Sequence, residues 1–261
     1  MEIVLPPKKL IANTFSRSAS RYCSNAFIQR RILEQCVKRM KNSGLSAGSW
    51  LDAGCGANML GELLTPAHGA SRMFRTDIAL GSLKLINDQR TGSMFTVQSD
   101  LEYLPFRSGT FDGVVVASVL HWLKDVRGGL LELARILKPD GRIVFAAFLN
   151  GSFLEVCSLR ERMGLSIPVR FVDDGQLRAA LVECGLDLME MSIKNERHYF
   201  QSAREVLKYL SDVGSSAVSG RRLSRLGLME FCSEYEERFG TPRGIPLSCR
   251  FACGIAQRQE H

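Results

Sequence analysis

A glycine turn and three acidic residues carry the chemistry legible in this chain. In Leu51-Asp-Ala-Gly-Cys-Gly-Ala-Asn58, Asp52 precedes Gly54 by two residues and Gly56 follows by two. Glycines placed so let a strand turn tightly into a helix and let the backbone approach a ligand. A dinucleotide fingerprint would continue with a third glycine, but Met59 stands there, so that chemistry fits poorly. Asp77 comes about 20 residues further on, the spacing at which an acid meets ribose hydroxyls in nucleotide-binding α/β folds. Its charge would repel a 2′-phosphate. Asp100 is the third acid, in Ser99-Asp100-Leu101.

These side chains act together only if strand ends gather them. From Trp50 the pattern alternates. Strands are expected at Trp50–Ala53, Met73–Thr76, Met94–Gln98, Gly113–Ser118 and Arg142–Leu149, and helices at Met59–Leu64, Leu80–Asp88 and Val126–Leu137. The apolar runs at 113–118 and 143–149 suit strands buried on both faces. Lys138-Pro-Asp-Gly141 reads as a turn. Such alternation predicts a parallel, doubly wound α/β sheet, whose ligands bind at the carboxyl ends of the strands. Asp52, Asp77, Asp100 and Ser118 all fall at those ends.

Beyond Asn150 the regularity weakens. Helices are expected at Asp173–Cys184, Ser202–Leu210 and Leu226–Phe239, and strands at Leu186–Ile193 and Arg250–Ala256. Ahead of the core, Phe15, Ala19, Tyr22, Ala26 and Gln29 form one stripe of a helix over 11–41. A Gly/Ser-rich break, Lys41 to Ser49, follows it. The division expected is an N-terminal helical arm (1–45), a core (46–201), a helical lid insertion (202–246) and the last strand of the core (247–261).

Composition narrows the class. Of 261 residues, 45% are hydrophobic and 23% charged, enough for a packed core and unlike a disordered chain. Neither a signal-peptide pattern nor a run of membrane-spanning length is legible, so a cytoplasmic protein with no membrane partner is expected. The eight cysteines form no C-x-x-C pair and read as reduced apolar residues, with no metal expected. The net charge is +7, and residues 1–50 hold nine Lys/Arg against Glu2 and Glu34, while the rest of the chain holds 25 of each sign. An acidic partner for the arm is the natural reading.

The D-x-G-x-G turn followed by Asp77 and Asp100 resembles the class I S-adenosylmethionine-dependent methyltransferases. Asp100-Leu-Glu-Tyr-Leu-Pro-Phe, Phe111-Asp-Gly-Val-Val-Val and Leu137-Lys-Pro-Asp-Gly141 resemble that superfamily's small-molecule branch. The resemblance implies a Rossmann-like fold with a seven-stranded, mostly parallel sheet and S-adenosyl-L-methionine as cofactor. It implies a cofactor site of Asp52, Gly54, Gly56, Asp77, Ile78, Asp100, Leu101 and Ser118. Asp100 would face the adenine amino group, and Leu101 would pack on the ring. Where the superfamily often has another glycine, this chain has Asn58, the next best residue for a left-handed backbone.

A finer resemblance rests on the arm. The Phe15…Tyr22…Gln29 stripe, Ser118–Trp122, Phe148-Leu-Asn-Gly-Ser152, 202–215 and Ile245-Pro-Leu-Ser248 are similar to the malonyl-acyl-carrier-protein O-methyltransferases of bacterial biotin synthesis. That family methylates the free carboxylate of a malonyl thioester. The implied partner is acyl-carrier protein bearing a malonyl group, or malonyl-CoA, and no nucleic acid. Phe15, Tyr22, His121 and Trp122 would line the acceptor site. Rival readings are a methyltransferase for another free acid or a quinone precursor, and a cofactor-binding scaffold that catalyses nothing. Four histidines, His68, His121, His198 and His261, offer no acid–base dyad. A carboxylate acceptor needs none, being ionised near pH 7.

Overall fold

The structure is a computed structural model that describes residues 5–42, 48–64, 72–88, 94–167, 169–215 and 223–260. Most of the Gly/Ser-rich break, along with His68 and His261, lies outside these residues.

Two helices open the chain, α1 (Lys8–Asn25) and α2 (Phe27–Asn42). The single helix expected over 11–41 is therefore broken. Ala26 takes φ −78°, ψ 50° and turns the chain between them. The apolar stripe runs through the break, so periodicity alone conceals it.

The core then follows in order: β1 (Ser49–Ala53), α3 (Met59–Leu63), β2 (Arg72–Asp77), α4 (Leu80–Asp88), β3 (Met94–Gln98), β4 (Phe111–Ala117), α5 (Val126–Ile136), β5 (Leu137–Phe148), α6 (Leu154–Arg162), α7 (Asp174–Glu183), β6 (Leu186–Phe200), α8 (Ala203–Asp212), α9 (Arg225–Phe239) and β7 (Ile245–Arg258). One seven-stranded sheet results, ordered β3-β2-β1-β4-β5-β7-β6. Neighbours from β3 to β5 run parallel. β7 enters antiparallel between β5 and β6. The order reverses between β1 and β4, the switch point beside which open α/β sheets hold ligands.

The buried strand runs have a plain cause. Val115, Val144 and Ala146 pack against Ile28, Ile32 and Val37 of α2 on one face. Val114, Val116 and Phe145 pack against Leu130, Leu133, Leu177 and Leu181 of α5 and α7 on the other. With helices on both faces, the central strands have no solvent side and favour apolar residues throughout. Trp50, fully buried on β1, lies flat over Gly113 of the neighbouring strand. A Cβ at Gly113 would stand 2.4 to 2.5 Å from the indole ring. Gly113→Ala should therefore lower stability by about 1–3 kcal/mol, read as a reduced denaturant midpoint.

Several boundaries differ from the sequence reading. β5 begins at Leu137, not Arg142, because the Lys138–Gly141 turn is absorbed as an irregularity at the start of the strand. The left-handed backbone there falls on Asp140 (φ 60°) and not on Gly141. β6 extends seven residues past Ile193, to Phe200, and β7 begins at Ile245, because the two pair from Leu186↔Arg258 to Phe200↔Ile245, with one bulge between Leu188 and Glu190. No helix among the described residues is long and apolar enough to cross a membrane. All eight cysteines are free thiols.

Candidate functional site

The site forms where β1, β2, β3 and β4 end. After β1 the backbone turns through Gly54 (φ 75°) and Gly56 (φ 53°) into Asn58 (φ 68°), which precedes α3. Two N–H groups of this turn, Gly54 and Cys55, donate to the Thr76 carbonyl at 2.8 and 3.0 Å. The first turn is thus pinned to the end of β2. A Cβ on Gly54 would stand 2.4 Å from Val119 Cγ2, so only glycine fits.

Asp77 ends β2. Its Oδ2 accepts from Gly56 N at 2.8 Å and its Oδ1 from Ala79 N at 2.7 Å. Burial pushes its carboxyl above the usual range, and these backbone bonds oppose that rise. Asp100 lies after β3, and its Oδ1 accepts from Glu102 N at 3.1 Å. Lys8 of α1 reaches across to bond both Asp100 and Glu102.

These groups line a cleft of about 100 Å³. Gly54, Gly56, Asp77, Ile78, Asp100, Leu101 and Ser118 form its floor and sides, and Phe15, Tyr22 and Trp122 close it from above. Phe15 meets Trp122 edge-on at 5.3 Å and Tyr22 edge-on at 6.4 Å. Burial, with Asp77 and Asp52 nearby, pushes the Tyr22 phenol well up, so it stays protonated and can donate. The sequence reading missed Lys8, Ile11, Thr76, Ser82 and Leu123, which also line the cleft. Lys8 and Ile11 share the arm's helical face with Phe15, a spacing of three and four that could have found them.

Asp52 stands apart. It lines a small cavity of about 30 Å³ behind the glycine turn, with Tyr22, Gln29, Gly54, Gly56 and Ser118. Its Oδ2 and the Ser118 hydroxyl are buried without a partner among the described residues. Ser118 adopts φ 59°, a strained angle for its type. Burial raises the Asp52 carboxyl to about 7, with Arg75 pulling it down and Asp77 pushing it up. A buried carboxylate and hydroxyl left open beside a glycine turn fit a cationic amino-acid head group. Such donors and acceptors suit S-adenosylmethionine.

His121 is also displaced from the cleft. It lies in a single 3₁₀ turn, Leu120–Trp122, and lines a second cavity on the far side of Trp122. Burial lowers its pKa to about 3, so the imidazole is neutral. Its Nδ1 is buried without a partner among the described residues. His198 instead stacks edge-on against Phe27 at 5.5 Å, away from the cleft. No cluster of potential metal ligands occurs among the described residues.

The arm's positive charge proves largely committed within the chain. Arg21 pairs with Asp212 at 3.3 Å, Arg30 with Glu62 at 2.9 Å, Arg31 with Glu196 at 2.7 Å and Arg39 with Glu190 at 3.1 Å. Its arginines therefore join the arm to the core and to the 202–246 segment. Sequence separation conceals such pairs.

Comparison with known proteins accords with this geometry. Residues 51–145 match the methyltransferase domain family. The N-methyltransferase NodS from Bradyrhizobium japonicum, solved with S-adenosyl-L-homocysteine, aligns with 96% of this chain and 99% of its own, at TM-score 0.57 and 17% identity. A zebrafish (Danio rerio) relative named arginine-hydroxylase NDUFAF5, mitochondrial, is 30% identical over 209 residues, covering 74% of this chain and 63% of that protein. The malonyl-[acyl-carrier protein] O-methyltransferase of Geobacter sulfurreducens is 30% identical over 264 residues, covering 96% of this chain and 99% of the relative. With a match running from end to end on both sides, this chain belongs to the malonyl-[acyl-carrier protein] O-methyltransferase family of the class I methyltransferase fold.

Proposed function

We propose that this enzyme methylates the free carboxylate of a malonyl thioester, held on acyl-carrier protein or on CoA, for biotin synthesis. The observation that carries this reading is the cleft itself. Asp77 and Asp100, at successive strand ends, sit beneath Phe15 and Tyr22 of the arm and Trp122 of the core, with Asp52 in a small cavity behind the glycine turn. S-adenosylmethionine supplies an electrophilic methyl group on sulfur, and transfer to a carboxylate oxygen forms one C–O bond as one C–S bond breaks.

The chain's own residues bind, orient and exclude water. Asp52 and the Ser118 hydroxyl would take the amino-acid head, Asp77 the ribose, and Asp100 with Ile78 and Leu101 the adenine. Phe15, Tyr22 and Trp122 would shut out solvent where the acceptor approaches, so that positioning does much of the work. No general base is required, because the acceptor is already an anion near pH 7. A neutral, deeply buried His121 accords with that. The segment 202–246 supplies α8 and α9 and would act as a lid, with 1–45 as the arm, 46–201 as the core and 247–261 completing the sheet. A cytoplasmic setting accords with eight free thiols. The exposed Arg17 remains the arm's best candidate for meeting an acidic carrier.

A relative of equal identity carries a different activity, so the acceptor must be tested directly. Purified protein with methyl-labelled S-adenosylmethionine should label malonyl-acyl-carrier protein at least tenfold faster than its succinyl or acetyl counterparts. Equal labelling of all three, or labelling of none, overturns the malonyl assignment.

A further inference from the structure

The second cavity, of about 90 Å³, lies beyond Trp122 from the cofactor cleft and shares that side chain with it. Its walls come from the 3₁₀ turn, α6, residues 167 and 169, α8 and α9. They are almost wholly apolar, with Phe153, Val156, Ile167, Leu210 and Phe231 among them. Three side chains, Arg160, His121 and Ser215, break that character, and the first two matter here.

Arg160 is the cavity's one charged residue. Its Nε and Nη2 both donate to the Ser166 carbonyl, at 2.9 and 2.7 Å, which fixes the guanidinium plane. Its other N–H donors bond no described residue, and no carboxylate lies within ion-pair distance among the described residues. Glu155, one turn earlier on α6, is engaged by the N–H and hydroxyl of Ser248 at 2.9 and 2.6 Å. Burial pushes the Arg160 pKa down, as expected for a cation without a counter-charge. His121 is the second polar group, 6% exposed, with its Nδ1 unpartnered. An uncompensated cation and an open imidazole nitrogen in an apolar chamber are costly unless a ligand satisfies them.

We infer that this chamber is the acceptor site, taking a short acyl thioester with a free carboxylate, and that Arg160 supplies the counter-charge which admits it. The inference rests on the acid-methylating function proposed above. It goes further by naming a residue that distinguishes substrate from product. The acid is an anion and pairs with Arg160. The methyl ester is neutral and leaves Arg160 unpaired, so the finished ester binds less well in the same chamber. His121, held neutral, can offer a hydrogen bond to a carbonyl or carboxylate oxygen without adding charge.

The test is a binding measurement on the full chain saturated with S-adenosylhomocysteine. Malonyl-pantetheine and its methyl ester are titrated into wild type, Arg160→Lys, Arg160→Gln and Arg160→Met. Wild type should prefer the acid by at least tenfold. Arg160→Lys should retain part of that preference, and Arg160→Gln and Arg160→Met should lose it, with S-adenosylhomocysteine affinity unchanged. Should Arg160→Met fold poorly, Arg160→Gln, which keeps a polar side chain, gives the reading. If wild type methylates malonyl thioesters while the glutamine variant keeps the acid preference, the chamber assignment falls and the function stands. If wild type methylates no malonyl thioester yet binds short carboxylic acids in an Arg160-dependent way, the function falls and the chamber stands. Absence of any acid preference in wild type overturns the chamber assignment.

Discussion

Replacing Asp77 with alanine should weaken S-adenosylmethionine binding by about 1.5–3 kcal/mol, roughly ten- to over a hundredfold, measured by titration calorimetry. The loss has two parts. The carboxylate would accept hydrogen bonds from ribose hydroxyls, and bonds to a charged acceptor are the stronger kind. It also ties Gly56 N and Ala79 N to the strand end, so its removal loosens the glycine turn. Asp77→Asn separates the two. An amide oxygen keeps an acceptor for a backbone N–H but removes the charge, so the asparagine variant should lose less. Unchanged affinity in the alanine variant would sink the ribose assignment.

The second large effect is on pH. Asp52 has a carboxyl raised to about 7 by burial, against an ordinary value of 3.8. The groups facing it are Arg75 and Asp77 from β2, Tyr22 from α1, Cys36 from α2 and Cys55 from the glycine turn. A raised folded-state pKa favours the protonated form. Its stabilising effect is therefore complete below about pH 4 and is lost as the pH rises through 7. Cofactor binding should run the other way. The ammonium group needs Asp52 as an anion, so affinity should rise as the pH climbs from 6 to 8 and then level off. Arg75, in register with Asp52 on the adjacent strand and 1% exposed, favours the anion. Arg75→Met should move the rise to higher pH. A flat affinity profile from pH 6 to 8 would show that Asp52 does not meet the ammonium group.

Much of the site can be read from sequence because its signals are local. The glycine turn needs left-handed residues at fixed places, and Gly54, Gly56 and Asn58 all adopt them. Asp77 and Asp100 are legible because strand ends are legible. What escapes depends on tertiary approach. Lys8 looks like any surface lysine until α1 lies over Asp100 and Glu102. Arg160 sits on a short helix, Leu-Glu-Val-Cys-Ser-Leu-Arg-Glu-Arg, whose pattern points to no face. The arm's excess charge is legible, but the acids that pair with it lie 32 to 191 positions away. His121 was expected at the acceptor site from its place after β4, but the division of labour in the 3₁₀ turn was not legible: Trp122 lines both the cleft and the chamber, while His121 lines the chamber alone.

The arm bears on traffic as well as on shape. α1 crosses the mouth of the cleft, tied at one end by Lys8 and seated at the other by Tyr22 beside the glycine turn. A lift of Ile11, Phe15 and Tyr22, with the Lys8 ion pairs parted, would widen the way to a ligand beneath it. Were that opening slower than methyl transfer, its frequency would set a ceiling on turnover.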